Sequence, residues 1–283
     1  MNTFPRLSTG LNGLDKILDG LRLGDNIVWQ VDQIEDYQHF VRPILVKSIE
    51  NHGKVIYLRF GQHPPLIEDN PQVKTYYLDP TLGFEAFSSR IYNIASEEGM
   101  GVYYIFDCLS DLLPAWATDL MIGNFFRVVC PYLYELNAIG YFTVLRNSHS
   151  YETIARIRET TQLLIDVYQH EGTYYVHPIK VLGRYSPTMF LPHVEINNDF
   201  VPMTSSVQAA HFFRCLNSGG RGRRNASWIT GTAFSCGLVI CWKRWLPETL
   251  NHWLRKRKCA RGFAKCSLGV MNVFCLWRAV TSL

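Results

Sequence analysis

The chain has 283 residues, of which 47% are apolar and 18% are charged. This length suits one α/β domain with an appendage or two small domains, and it can bury a sizeable core without disulfides. The composition excludes a disordered chain, and the chain has neither an N-terminal secretory signal nor a run of about 20 apolar residues, so we expect a cytoplasmic protein.

The net charge of +4 averages two unlike parts of the chain. Residues 1–215 contain 16 Lys and Arg against 23 Asp and Glu, together with all 15 tyrosines. Residues 216–283 contain 12 Lys and Arg against one acid, Glu248, and five of the seven tryptophans. We therefore divide the chain into a domain at 1–200, a linker or terminal helix at 201–215, and a basic Trp/Cys-rich tail at 216–283 that we expect to be poorly structured.

Short apolar runs alternate with helical stretches in the first part. The runs predict strands over 26–31, 55–60, 102–106, 140–145, 163–168, 173–180 and 188–191. Apolar residues at helical spacing predict helices over 36–51, 84–96, 122–136, 151–158 and 206–213. Pro43 is expected in the first turns of its helix, where proline is tolerated best. The alternation predicts a mostly parallel sheet with helices on both faces, and the late strands predict an antiparallel edge hairpin.

The N-terminal sequence carries a motif. Residues 6–15 read RLSTGLNGLD, and LDGL at 18–21 and GD at 24–25 follow. This entry resembles that of RecA-type ATPase domains of the KaiC/RadA group, and the apolar run that ends at Asp107 resembles their Walker B strand. The stretch with Lys180, Arg184 and Ser186 resembles their basic late hairpin. The resemblance covers roughly residues 3–200 and implies a RecA-like fold, with Lys180 and Arg184 as candidate anion contacts.

The phosphate-binding loop that this resemblance requires is degenerate. A P-loop reads G-x-x-x-x-G-K-[ST], in which glycines expose backbone N–H groups, lysine neutralises phosphate and the hydroxyl binds Mg²⁺. Residues 32–39 read DQIEDYQH, and the four defining positions hold Asp32, Tyr37, Gln38 and His39. The loop instead carries three carboxylates, and each like-charge pair at about 4 Å costs about 1 to 4 kcal/mol. The second strand ends in RFGQH at 59–63, without the glutamate that commonly activates water in these ATPases. The resemblance therefore implies a pseudo-ATPase with no catalytic residue, no bound cofactor and no metal site.

A narrower resemblance concerns the strings WQVD at 29–32, IEDY at 34–37, GRYSPTM at 183–189 and LPH at 191–193. They resemble a KaiC-like domain without a P-loop that stands at the N-terminus of PEP/pyruvate-binding phosphotransferases of the pyruvate, water dikinase type. This resemblance implies that the intact gene product is such a phosphotransferase. The present chain would be its truncated, non-catalytic N-terminal piece, since it contains none of that module's catalytic apparatus.

The tail has two interpretations. Lys and Arg with interleaved Trp are residues that can bind nucleic acid or an anionic membrane. The same composition suits translation in a shifted reading frame, which we favour. No membrane span is expected at 225–242, because this uncharged stretch is short and rich in Gly, Ser and Thr. No zinc site is expected either, because no C-x2-C pair occurs among Cys236, Cys241, Cys259, Cys266 and Cys275.

One carboxylate pair remains in the first part. Asp107 and Asp111 follow a predicted strand and could serve acid–base chemistry. No nearby Ser, His or Cys arrangement supports such a role, so we interpret Asp107 as a relic of Walker B.

We predict that the chain is a non-catalytic binding or regulatory module that docks to another protein domain or associates with itself. One alternative is a KaiC/RadA-type ATPase that binds Mg-ATP unconventionally, which nucleotide binding would test. The other is a nucleic-acid-binding protein that acts through the basic tail. Salt-dependent DNA binding that is lost on truncation at Arg214 would support this second alternative, which we favour less.

Overall fold

Nine strands form one sheet in the computed structural model, which describes residues 6–197 and 199–218. In chain order the strands are β1 (Asn26–Val31), β2 (Val55–Arg59), β3 (Val73–Tyr77), β4 (Tyr103–Cys108), β5 (Ile139–Leu145), β6 (Leu163–His170), β7 (Thr173–Val181), β8 (His193–Ile196) and β9 (Asp199–Pro202). The α-helices are α1 (Asn12–Leu18), α2 (Ile34–Glu50), α3 (Phe84–Glu98), α4 (Leu120–Glu135), α5 (Tyr151–Thr160) and α6 (Ser206–Ser218). The predictions for residues 219–283, including the poorly structured tail, lie outside the described residues.

The strand order is β3-β2-β4-β5-β1-β6-β7-β8-β9. The six strands from β3 to β6 in this order are parallel, whereas β7, β8 and β9 add antiparallel pairs at one edge. The mostly parallel sheet and its late antiparallel edge are therefore confirmed. The order differs from the Rossmann order 3-2-1-4-5-6 and the flavodoxin-like order 2-1-3-4-5. The carboxyl ends of the parallel strands meet at one edge, where ligands of open α/β sheets bind.

Helices cover both faces of the sheet, because successive side chains of a buried strand point to opposite sides. In β1, Trp29 lies in one core cluster, which includes buried residues of α1 and α2. Val28 lies in the other cluster, which includes buried residues of α3, α4 and α5. Trp29 stacks on Phe40 of α2 with the ring centroids 4.4 Å apart, and Phe106 of β4 stacks on Phe142 of β5 at 4.2 Å. The two clusters fix the sheet between its helices.

Most predicted elements are present, with ends shifted by a few residues. β1 matches its predicted range because all six of its residues are buried. Four elements were not predicted, namely α1, β3, β8 and β9. Pro43 lies in the middle of α2 and not in its first turns as predicted, because the helix already begins at Ile34. The helix predicted over 206–213 extends to Ser218.

The strand predicted at 188–191 is wrong. This segment forms turns, in which the N–H of Met189 donates to the carbonyl of Ser186 at 3.2 Å and the N–H of Leu191 donates to that of Thr188 at 2.9 Å. Pro187 and Pro192 flank the segment, and proline has no N–H for a strand ladder. The edge strand β8 therefore starts only after the second proline.

The N-terminal motif folds into a hydrogen-bonded turn before α1. The carboxylate of Asp15 accepts bonds from the Ser8 hydroxyl, from the Thr9 N–H at 2.7 Å and from the Thr9 hydroxyl at 2.7 Å. Gly10 then takes a positive φ of 84°. A Cβ at Gly10 would lie 2.3 Å from the carbonyl oxygen of Pro43, so the turn packs directly on the backbone of α2. The serine, threonine, glycine and aspartate of the motif therefore each have a local structural role.

The Gly10→Ala variant is expected to lose at least about 2 kcal/mol of unfolding free energy, because it combines positive-φ strain with a clash against helix backbone. Gly172→Ala is a matched control, since Gly172 has a φ of 78° and nothing within 4 Å of a built Cβ. The control is expected to lose about 1 kcal/mol, from backbone strain alone. Urea denaturation of both variants measures the difference, and equal losses would contradict the close packing.

Candidate functional site

The connection after β1 is too short to form a phosphate-binding loop. β1 ends at Val31 and α2 begins at Ile34, so only Asp32 and Gln33 lie between them. The N–H of Gln33 donates to the carboxylate of Asp36 at 3.3 Å, which caps the start of the helix. A P-loop needs several free N–H groups arranged around a phosphate, and a capped two-residue turn does not offer that arrangement.

Asp32 contacts a buried arginine. Arg146 follows β5, and its Nε donates to Oδ1 of Asp32 at 2.8 Å. Its Nη1 lies 3.3 Å from Oδ1 of Asp166, and its Nη2 donates to the carbonyl of Val167 at 2.6 Å. The guanidinium also lies 3.9 Å from the ring centroid of Tyr168. Burial alone would lower the pKa of Arg146, but Asp166, Tyr168 and Asp32 reverse this effect and raise it. The negative charge of Asp32 in the turn after β1 is therefore neutralised by Arg146 of the same chain.

The other P-loop-like positions lie on different sides of α2. Tyr37 is fully buried in the core cluster that contains Trp29, and burial raises its pKa. Gln38 is half-buried. His39 stacks on Tyr174 with the ring centroids 4.1 Å apart, and its Nε2 lies 3.1 Å from Oε1 of Glu195. The helix therefore distributes Tyr37, Gln38 and His39 over several surroundings and does not bring them together around one ligand.

His39 borders an open cavity of about 430 Å³. Gly10 of the N-terminal turn, Arg42 of α2 and Glu195 of β8 also line it. Arg42 and Glu195 place opposite charges in this concavity, which lies between α2 and the antiparallel edge.

Asp107, the Walker B-like residue, is fully buried and surrounded by donors. Its carboxylate accepts hydrogen bonds from the hydroxyl of Tyr57 and from Nη1 of Arg59, both on β2. It also accepts from the N–H of Phe60 at 2.8 Å and from the N–H of Gly61 at 2.7 Å. Burial raises the pKa of Tyr57, and the neighbouring carboxylate of Asp107 raises it further. To coordinate a metal ion, Asp107 would have to give up hydrogen bonds that hold the end of β2.

Three residues that are distant in the sequence form a chain of hydrogen bonds at the carboxyl edge of the sheet. Oγ of Ser110, just after β4, lies 2.7 Å from Nε2 of His149, and Nδ1 of His149 lies 2.6 Å from Oδ1 of Asp119. The N–H of Leu145 donates to the same Oγ at 2.8 Å. Ser110 and His149 are 39 residues apart, so no local pattern could have paired them. The sequence signal available was only the presence of each residue in a predicted loop.

The pKa shifts of Asp119 and His149 indicate which atoms of the Ser110–His149–Asp119 group carry a proton. Desolvation would raise the pKa of Asp119, but hydrogen bonds from Ser150 and His149 lower it overall, so the carboxylate is ionised near neutral pH. Burial lowers the pKa of His149, against the effect of Asp119, so the imidazole is neutral. Because an ionised carboxylate can only accept, Nδ1 carries the proton and Nε2 accepts the bond from the Ser110 hydroxyl.

The two candidate anion contacts lie near the amino ends of the parallel strands. Arg184 makes a two-point ion pair with Asp25, at 2.9 and 2.6 Å, and its Nη1 donates to the carbonyl of Gly20 at 2.7 Å. Lys180 donates to the carbonyls of Arg158 and Glu159 at the end of α5. Their role as anion contacts stays a prediction, and these contacts favour internal roles.

No family model matches this chain, and no curated protein matches it. Within residues 6–197 and 199–218, no three His, Cys, Asp or Glu side chains form a group that could hold a metal ion. In the same part of the chain, no helix is both long and apolar enough to cross a membrane.

Proposed function

We propose that the chain is a RecA/KaiC-like pseudo-ATPase module that binds or regulates another protein domain. The observation that carries the proposal is that two carboxylates at the nucleotide-site positions are paired within the protein, Asp107 at the Walker B-like position and Asp32 at a position where a P-loop has glycine. Asp107 accepts from Tyr57 and Arg59, and Asp32 pairs with Arg146. The position of β1 among parallel strands, directly after the N-terminal motif, supports the RecA-like assignment.

The charge at the β1 turn also supports the loss of nucleotide binding. Asp32 and Glu35 are exposed there, and Asp36 is buried beside them. Burial raises the pKa of Asp36, and Asp32 and Glu35 act in the same direction. A triphosphate at this turn would meet carboxylates and no lysine, so Mg-ATP does not fit the residues present.

A binding role needs a face for the partner, and apolar side chains at the amino edge of the sheet could provide it. Met100, Leu182 and Tyr185 are exposed in loops that precede β4 or follow β7, and Tyr134 is exposed in the last turn of α4, before β5. Exposed apolar patches commonly mark interaction sites. The partner in this proposal is another protein domain, and by the narrower resemblance it is the phosphotransferase part of a pyruvate, water dikinase-type protein.

Calorimetric titration of the full chain with Mg-ATP tests the proposal. We expect no saturable binding up to about 1 mM and no increase in melting temperature, since a ligand at about 100 times its Kd would add about 2.7 kcal/mol of stability. A micromolar Kd that an Asp107→Asn variant abolishes, while remaining folded by circular dichroism, would contradict the pseudo-ATPase and favour the live ATPase alternative.

A further inference from the structure

We propose that Ser110, with His149 and Asp119, forms a second site at the carboxyl edge of the sheet, in which the Ser110 hydroxyl accepts an acyl group from a small activated ester. This site lies at the same edge as the degenerate nucleotide site but uses other side chains, and the proposal goes beyond the binding role proposed above. It rests on the geometry of three side chains from three segments of the chain.

The distances fit a nucleophile, a general base and an orienting carboxylate. The nucleophile-to-base contact of 2.7 Å and the base-to-carboxylate contact of 2.6 Å both lie within hydrogen-bond reach. The N–H of Leu145 fixes one lone pair of Oγ, and the hydroxyl proton points at Nε2. Such a group is recognised by its geometry and roles on any fold, not by its order in the sequence.

The backbone holds this arrangement in place. Ser110 lies in the 3₁₀ turn Leu109–Leu112 that follows β4, and Leu145 is the last residue of β5, the strand that pairs with β4. The second oxygen of Asp119, the residue before α4, accepts from the N–H of Ser150 at 2.8 Å and so holds the segment of His149 against that helix. The three side chains are therefore fixed by elements of the sheet edge, the usual ligand edge of such sheets.

The solvent exposure of Ser110, His149 and Asp119 limits the size of the ligand that can react. Ser110 is 7% exposed and the side chain of His149 is fully buried, whereas the side chain of Asp119 is 26% exposed. A nucleophile this close to full burial excludes a polypeptide or another bulky ester, so the acyl group in this proposal is a small one. The class is therefore a short-chain activated ester.

The transfer step balances without a co-reactant. Oγ of Ser110 bonds to the carbonyl carbon, and its proton passes to Nε2 of His149. The bond from this carbon to the leaving oxygen then breaks, and the leaving oxygen takes the proton from Nε2. The products are an ester of Ser110 and an alcohol.

Labelling of the full chain with a small fluorophosphonate tests the proposal. In this reaction the Oγ–P bond forms, the P–F bond breaks and the proton leaves with fluoride through His149. Peptide mapping is expected to find the adduct on Ser110, with a rate about 100-fold or more lower in His149→Gln, as is typical for loss of a general base. Asp119→Asn, which keeps a polar side chain beside His149, is expected to slow labelling as well. Ser96→Ala, in an exposed part of α3, is the matched control and is expected to label like the wild type.

The labelling rate is also expected to fall as the pH is lowered through the titration of His149, which a purely structural hydrogen bond would not cause. A folded wild-type chain with no adduct on Ser110 would overturn the proposal, even if the variants did not fold. Equal labelling rates in the wild type and in folded His149→Gln would overturn it too. Neither result depends on nucleotide binding, so the pseudo-ATPase proposal is tested separately.

Discussion

Replacement of Arg146 by methionine is expected to lower the free energy of unfolding by about 3 to 5 kcal/mol, the usual cost of removing one partner from a buried ion pair. The variant leaves Asp166 buried with no cation beside it, and it removes the hydrogen bond to the carbonyl of Val167. Methionine keeps much of the side-chain length, so the lost charge dominates the effect. Guanidinium denaturation at neutral pH measures the change.

Arg90→Met is a suitable control, because Arg90 is exposed and its guanidinium lies 5.9 Å from the ring centroid of Tyr76. A surface change of this kind is expected to stay within about 0.5 kcal/mol. The double variant Arg146→Met, Asp166→Asn is expected to recover part of the loss, because it also removes the unpaired charge. A single variant as stable as the wild type would show that Arg146 does not neutralise the turn after β1.

The Asp107→Asn variant is expected to lose about 3 to 5 kcal/mol as well. The carboxylate accepts from Arg59, from Tyr57 and from two backbone N–H groups, all at a fully buried position. An amide is neutral, and its NH₂ group would face donors, so several buried groups would lose a partner. Thermal and urea denaturation measure the effect.

Asp111→Asn provides the comparison for this prediction. Asp111 is partly exposed, accepts a long hydrogen bond from the N–H of Gln62 at 3.3 Å and lies 4.0 Å from Nε2 of His63, so a loss below about 1 kcal/mol is expected. An Asp107→Asn variant that is neutral or more stable than the wild type would contradict the structural role. Removal of a functional carboxylate commonly relieves strain or repulsion, so that result would favour a ligand-binding role for Asp107.

The sequence predicted the regular elements best where burial is continuous. β1 was predicted to the residue, and the run that became β4 was identified, because every residue of these strands is buried. β3 was missed because only Val73 of its five residues is buried, so an edge strand lacks the apolar signal. The error at 188–191 has a similar origin, since an apolar run between two prolines forms turns and not a strand.

The candidate sites were predictable only in part. The degenerate loop and Asp107 were identified by their position after apolar strands, because the chain order fixes which residues follow which strand. Their partners were not identifiable, since Arg59 lies 48 residues before Asp107 and Arg146 lies 114 residues after Asp32. The Ser110–His149–Asp119 group was missed for the same reason.

By itself, then, the sequence determined an α/β chain with a parallel sheet, an antiparallel edge and a loop after β1 without the residues that hold a phosphate. These features could be predicted because they follow from apolar periodicity and residue identity, which are local properties of the sequence. Only the tertiary structure decided what the remaining polar groups do. The pairing of β2 with β4 brings Tyr57 and Arg59 to Asp107, and the pairing of β4 with β5 brings Ser110 to Leu145. A buried charge or hydroxyl must find a partner, and strand order selects which distant residue provides it.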